Sequence, residues 1–298
     1  MCGIVGLFLK DTKLEPDLGA MLSDMLVTMS ERGPDSAGLA VYATGSPNRV
    51  KLTLRSADPD ADFEALERLL ADEPDLGAEV ARRDTHAVVR LDASGEARLR
   101  ARLDEALPGL DVMSAGDAIE IYKEVGLPGD VAKRFDLSAM TGSHGIGHTR
   151  MATESAVTTL GAHPFSTGPD QCLVHNGSLS NHNRLRRRLS AEGTRFATEN
   201  DSEVAAAFLT HRMAGGRNLG EALEDGIGEL DGFYTFVVGT RSGFGVLRDP
   251  IACKPAVMAE TDAYVAFGSE YRALAVLPGV AAARVWEPEP ATVYFWEH

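Results

Sequence analysis

Cys2 stands directly behind the initiator methionine and opens the apolar run Gly3-Ile4-Val5-Gly6-Leu7-Phe8. Removal of Met1 would give Cys2 a free α-amine titrating at about pH 7.7–8.0, so about a sixth of it would be neutral at pH 7 and able to take the thiol proton. A single residue would then supply both nucleophile and base. A cysteine in an apolar strand is also an ordinary small core residue. Its meaning depends on what the rest of the chain brings to it. Asn176-Gly177 is by itself a type I′ hairpin signal; the chemical alternative is a pair of donors, the Asn176 amide and the Gly177 N–H, for a developing oxyanion. Arg150 reads as an exposed arginine in a weak surface ion pair or as a two-pronged clamp for a carboxylate. Asp201 reads as a helix cap or as the acceptor of an ammonium. His148, His163 and His175 each fall in a strand or turn with no acid partner in view, which points to structural roles.

These residues need a frame to hold them. Leu18, Met21, Leu22, Met25, Leu26 and Met29 form one apolar stripe of a helix that must lie on a sheet or another helix. The helix is predicted to stop at Glu31-Arg32-Gly33-Pro34-Asp35-Ser36, and a strand follows over Gly38 to Tyr42. Residues 44 to 142 read as an insertion of short helices and strands, with helical spacing at Phe63, Leu66 and Leu70 and a hairpin about Ser94-Gly95. The polar motifs gather after Gly145. An alanine-rich helix begins near Asn200-Asp201-Ser202-Glu203, with Asp or Ser as its cap. Strands are predicted at Phe233 to Gly239, Gly245 to Arg248, Ala256 to Ala259, Tyr264 to Gly268 and Thr292 to Trp296. Strands, then helices, then strands predict an α+β arrangement of antiparallel sheets with helices packed on them.

Composition narrows the function. The chain has 298 residues, enough for a large core, and its 44% apolar and 24% charged content is that of a globular protein. A net charge of −15 leaves no basic stripe to displace counterions from a nucleic acid. The one basic cluster, Arg184 to Arg188, reads as a solvated helix face. No run has the length of a membrane span and no signal segment is evident, so a cytoplasmic location is expected. Cys2, Cys172 and Cys253 have neither disulfide-framework nor metal-ligand spacing, and no phosphate-cradling glycine loop occurs. No cofactor or metal is expected in this chain.

Taken together, Cys2-Gly3-Ile4-Val5-Gly6, Arg32-Gly33-Pro34-Asp35-Ser36, Gly147-His148-Thr149-Arg150, Ala162-His163-Pro164-Phe165, His175-Asn176-Gly177, Asn200-Asp201-Ser202-Glu203 and Arg248-Asp249-Pro250 resemble, in order, the motifs of the class II glutamine amidotransferases. Gly268-Ser269-Glu270 is a weaker final match. These are the N-terminal-nucleophile hydrolases whose glutaminase domain begins with a processed Cys-Gly-Ile. The resemblance implies a four-layer αββα sandwich over residues 2–298, with the insertion at 44–142. It implies Cys2 as nucleophile, Asn176 and Gly177 at the oxyanion, Arg150 on the glutamine α-carboxylate and Asp201 on its α-ammonium. Arg32 would order the loop over the thiol, and Thr153 and His175 would support the site. Two features depart from the family. Met151 stands where an aromatic residue is common, which suggests a looser pocket suited to an N-substituted amide. The second is the long insertion before Gly145, whose end, Val125-Gly126-Leu127-Pro128-Gly129-Asp130-Val131, resembles the approach to the same motif in the phosphoribosyl amidotransferases.

One sandwich would use all the strands read above, so the acceptor chemistry is expected on another subunit. The chain most resembles the free-standing amidotransferase subunit of the glutamate-synthase-like N-methylglutamate synthases. That implies glutamine or a substituted glutamine as substrate and glutamate-synthase-like partner subunits, to which any flavin or iron–sulfur group is left. The competing readings are a catalytically silent subunit that organises its partners, and an independent N-terminal-nucleophile amidase. The Arg150 and Asp201 pair, suited to both charged ends of a free amino acid, speaks against the latter.

Overall fold

The apolar run after Cys2 is strand β1 (Gly3–Leu9), buried at every position because both of its faces are covered. Alternation along the strand turns Ile4 and Phe8 toward a second sheet, and Val5, Leu7 and Leu9 toward a layer of helices. The computed structural model describes residues 2–152 and 156–298. β1 lies inside a seven-stranded sheet ordered β15 (Arg284–Trp286), β13 (Val257–Glu260), β14 (Tyr264–Gly268), β1, β8 (His144–Arg150), β2 (Ser36–Tyr42) and β7 (Ile119–Val125). Facing it is a five-stranded sheet ordered β16 (Val293–Glu297), β12 (Gly243–Arg248), β11 (Gly232–Gly239), β10 (Gln171–Leu179) and β9 (Phe165–Gly168). Neighbouring strands are antiparallel throughout. Phe244, Val246, Val174, Cys172 and Val237 of one sheet meet Ile4, Phe8, Ile121 and Ile146 of the other to form the inner core.

Helices cover both outer faces. The predicted stripe is α1 (Leu18–Thr28), which packs with α4 (Pro128–Arg134) and α8 (Tyr271–Leu274) on the seven-stranded sheet. The other sheet carries α5 (His182–Ala191), α6 (Asp201–Ala214) and α7 (Leu219–Glu229). The result is the expected α+β sandwich of helices, sheet, sheet and helices. Among the described residues no helix is long and apolar enough to cross a membrane.

The inserted segment is narrower than 44–142. Its own sheet runs β4 (Glu79–Arg83), β5 (His86–Asp92), β3 (Arg49–Arg55) and β6 (Asp111–Gly116), with α2 (Pro59–Ala71) after β3 and α3 (Glu96–Ala106) after β5. This βαββαβ order, antiparallel throughout, is the ferredoxin-like arrangement. β7 and α4, also expected in the insertion, belong to the sandwich: β7 pairs with β2, and Val131 and Ala132 of α4 join the helical core beside α1. Ser94-Gly95 is not a hairpin; residues 93–95 make a single tight turn that leads from β5 into α3. Local turn propensity could not distinguish a strand from a helix on its far side.

Candidate active site

Cys2 is held by its carbonyl. That oxygen accepts from Arg32 Nε at 3.0 Å and from Asn176 Nδ2 at 3.3 Å. Two residues further on, the Ile4 N–H donates to Ser269 Oγ and the Ser269 N–H donates to the Ile4 carbonyl, both at 2.9 Å. The start of β1 is thus tied to the turn after α1, to β10 and to the segment after β14. Arg32 is anchored in turn by Glu270, whose carboxyl the arginine's hydrogen bond holds below its ordinary range.

Asn176-Gly177 lies within β10, paired with Thr235 and Tyr234 of β11, so the hairpin reading is wrong. Pairing with distant strands overrode the local turn signal. The two-residue period puts Asn176 on the side of Cys172 and Val174, toward β1, and His175 on the side of α6. An asparagine amide carries two N–H donors. One is spent on the Cys2 carbonyl, which fixes the side chain and leaves the other for a ligand. Tyr234 directs its backbone N–H and carbonyl to Asp249, so its pair with Gly177 is a non-hydrogen-bonded one and the Gly177 N–H turns away from β11. Gly177 has φ +152°, and a Cβ there would come within 2.0 Å of the Phe233 carbonyl oxygen.

Arg150 closes β8 and is only 7% exposed, so it is a buried arginine and not an exposed one. Its carbonyl accepts from the Asp35 N–H at 3.1 Å, and Asp35 Oδ2 accepts from the Ala152 N–H at 2.8 Å. The Arg32-Gly33-Pro34-Asp35 turn therefore fastens the strand end that carries the arginine. Thr153 lies outside the described residues.

Asp201 is the first residue of α6 but not its cap. Asn200 fills that role, its Oδ1 accepting from the Ser202 N–H at 2.9 Å. Asp201 is left to accept from the Leu179 N–H at 2.8 Å and from Ser202 Oγ at 3.3 Å. The segment before it is pinned twice. Glu203 accepts from the N–H groups of Ala197 and Thr198, and Arg186 donates to the carbonyls of Thr198 and Asn200. Arg186 is therefore not part of a solvated face, although Arg184, Arg187 and Arg188 are exposed. His175 also departs from expectation: its Nδ1 stands 3.8 Å from Asp201 Oδ1, so an acid neighbour exists. Burial nevertheless lowers its pKa more than the aspartate raises it.

Cys2, Arg150, Asn176, Gly177 and Asp201 line one cavity of about 260 Å³, joined by Met151 and by Lys254. Sequence reasoning missed Lys254. The Arg248-Asp249-Pro250 motif explains its place: Arg248 donates to the carbonyls of Ala252 and Lys254, and Asp249 accepts from the N–H groups of Ile251 and Ala252. These bonds curl the chain back so that Lys254 Nζ sits 5.0 Å from the centre of the Phe233 ring. The motif was visible in the sequence; the curl it imposes was not.

Fold and cavity together define a class II glutamine amidotransferase, and the chain belongs to that family. A glutamine amidotransferase domain model matches residues 148–276. Glutamine amidotransferase-like protein GlxB of Rhizobium meliloti (strain 1021) is 67% identical over 298 residues, covering 100% of this chain and 99% of that protein. A putative glutamine amidotransferase of Methanothermobacter thermautotrophicus is 31% identical over 304 residues, covering 99% of each. Among solved structures, the glutamine phosphoribosylpyrophosphate amidotransferase from B. subtilis superposes with a TM-score of 0.63 at 19% identity, over 99% of this chain and 47% of that one. That likeness is one of fold.

Proposed function

We propose that this chain hydrolyses the side-chain amide of glutamine through Cys2 and passes the released ammonia, or an amine, to a partner synthase. The observation that carries the proposal is the convergence of a chain-start thiol, a two-donor corner, a buried arginine and an aspartate on one small cavity. With Met1 removed, the Cys2 amine takes the thiol proton and the sulfur attacks the amide carbon. The remaining Asn176 N–H and the Gly177 N–H receive the oxyanion. Collapse expels the amine with the proton held by the Cys2 ammonium, leaving a γ-glutamyl thioester. Water, deprotonated by the same amine, then releases glutamate and regenerates the thiol. Arg150 pairs with the substrate α-carboxylate and Asp201 with its α-ammonium.

The acceptor chemistry belongs, in this reading, to glutamate-synthase-like partner subunits of an N-methylglutamate synthase type, which would also hold any flavin or iron–sulfur group. Met151 favours an N-alkyl amide as an alternative to glutamine, since it lines the cavity, is 37% exposed as a residue, and carries an unbranched, adaptable thioether side chain. The test is glutamate release from glutamine and N-methylglutamine, with and without co-purifying subunits. Cys2→Ala should reduce release to background with an unchanged unfolding midpoint. Retained hydrolysis in that variant would overturn the assignment and leave the silent-subunit reading.

A further inference from the structure

Three histidines meet at the cavity wall, where His163, His175 and Ser202 are part of the lining and His148 lies behind them, and the chemistry above uses none of the three rings. The rings of His148 and His163 stack with centroids 4.0 Å apart, and His175 packs edge-on against Phe236. Burial holds all three below the ordinary histidine value, His148 down to about 3. They are neutral, and a neutral imidazole has one N–H and one lone pair, so its partners decide which nitrogen holds the proton. His148 Nε2 lies 3.1 Å from the His175 carbonyl and must donate to it. His163 Nε2 and His175 Nδ1 both reach the Ser202 hydroxyl, at 2.9 and 2.8 Å. That hydroxyl has one hydrogen and a third neighbour, Asp201 Oδ1, at 3.3 Å.

Only one arrangement leaves no ring N–H of the trio buried and unpaired. Were Ser202 to donate to His175, the proton of that ring would sit on Nε2; were it to donate to His163, on Nδ1. Among the described residues both atoms are buried without a partner. A buried N–H left unpaired is the rarer defect in proteins. When Ser202 donates to Asp201, both rings donate to Ser202. The partnerless atoms, Nδ1 of His148, Nδ1 of His163 and Nε2 of His175, are then all lone pairs. We infer that Ser202 is a positioning residue: its hydroxyl, aimed by His163 and His175, fixes the Asp201 carboxylate against the α-ammonium of the amino-acid substrate. This rests on the reading of Asp201 as the ammonium site and extends it to the hydroxyl and histidines behind it.

The test compares glutamine with glutaramate, which keeps the amide and carboxylate but lacks the ammonium. Ser202→Ala should raise KM for glutamine about tenfold, the loss of one hydrogen bond to a charged group, with kcat held to within about twofold and glutaramate unaffected. Equal losses on both amides, or a fall confined to kcat, would overturn the inference. Ser202→Thr, which keeps the hydroxyl, should behave as wild type, whereas the similarly shaped Ser202→Val should reproduce Ser202→Ala; this pair decides the matter if the alanine variant folds poorly. Asp201→Asn separates the two layers. If it leaves KM for glutamine unchanged, the ammonium reading has failed; if it weakens glutamine while Ser202→Ala does not, only the Ser202 inference has failed. Independently of activity, ¹⁵N shifts of the whole chain should show His163 protonated at Nε2 and His175 at Nδ1, and the opposite tautomer at either ring would refute the network.

Discussion

In the wall of the cavity, buried polar groups crowd together into a seam: Arg150, Asn176, Ser202 and three histidines are each less than a tenth exposed. The inserted unit buries a different kind of interior. Leu52, Leu54, Phe63, Leu66, Leu99 and Leu103 pack between its sheet and its helices, while its buried Lys51 and Thr53 fall on the alternate positions that face away from those helices. An apolar core specifies little beyond volume and can be restocked with other side chains of similar size. A buried polar cluster tolerates few rearrangements, because each donor needs an acceptor in place. The seam is where geometry is fixed finely enough for chemistry. The inserted unit is an elaboration joined to that frame, in part through Glu124, which takes hydrogen bonds from Thr85 at its tip and from Thr159 near the Arg150 loop.

Two glycines put the comparison to the largest test. Gly177 in the seam and Gly77 in the inserted unit both have positive φ, +152° and +55°. A Cβ at Gly177 would strike backbone, whereas at Gly77 its nearest neighbour would be an Asp92 side-chain oxygen at 3.6 Å. Gly177→Ala should therefore cost about 2–6 kcal/mol from strain and overpacking combined and abolish amide hydrolysis. Gly77→Ala should cost about 1 kcal/mol and leave hydrolysis unchanged. Chemical denaturation and glutamate release check both, and equal costs would erase the distinction between the regions.

A smaller effect concerns the junction itself. His86, in an aromatic cluster with Tyr122 and Phe135, is pushed by burial from 6.5 to about 3. Its folded-state value is depressed, so the unfolded chain binds a proton that the folded chain refuses between pH 6.5 and about 3. The stability linked to it is fully present above pH 6.5 and is lost as pH falls through that window, at up to about 1.4 kcal/mol per pH unit. His86→Phe, which keeps a ring in the cluster, should flatten the acid limb of unfolding free energy against pH by about one proton. An unaltered slope would show that His86 is protonated in the folded protein.

Much of this is legible in the sequence. The stripe from Leu18 to Met29 and the strand at Tyr264–Gly268 follow from spacing and residue type, whereas the motif residues from Cys2 to Asp201 stand out through the family resemblance their order carries. What stayed hidden depends on pairing between distant segments. The order β4-β5-β3-β6 is set by long-range register, so the unit read only as short helices and strands. β7 was lost in the insertion because its partner β2 lies some eighty residues earlier in the chain. Asn200 rather than Asp201 caps α6, since Asp201 is drawn to the Leu179 N–H across the fold. Lys254 was missed because the bonds that place it are made by Arg248 to backbone carbonyls.

The most direct test of the central claim is the intact and peptide mass of the chain after exposure to a glutamine analogue bearing an electrophilic diazoketone in place of its amide. Cys172 is buried with its thiol pushed up to about 12, and Cys253 is exposed beside Lys254, so the label has a real choice of thiols. The expected result is a chain without Met1, carrying a single addition on Cys2 that excess glutamine prevents. A retained Met1, or an addition on Cys253 with Cys2 unmodified, would contradict Cys2 as the nucleophile.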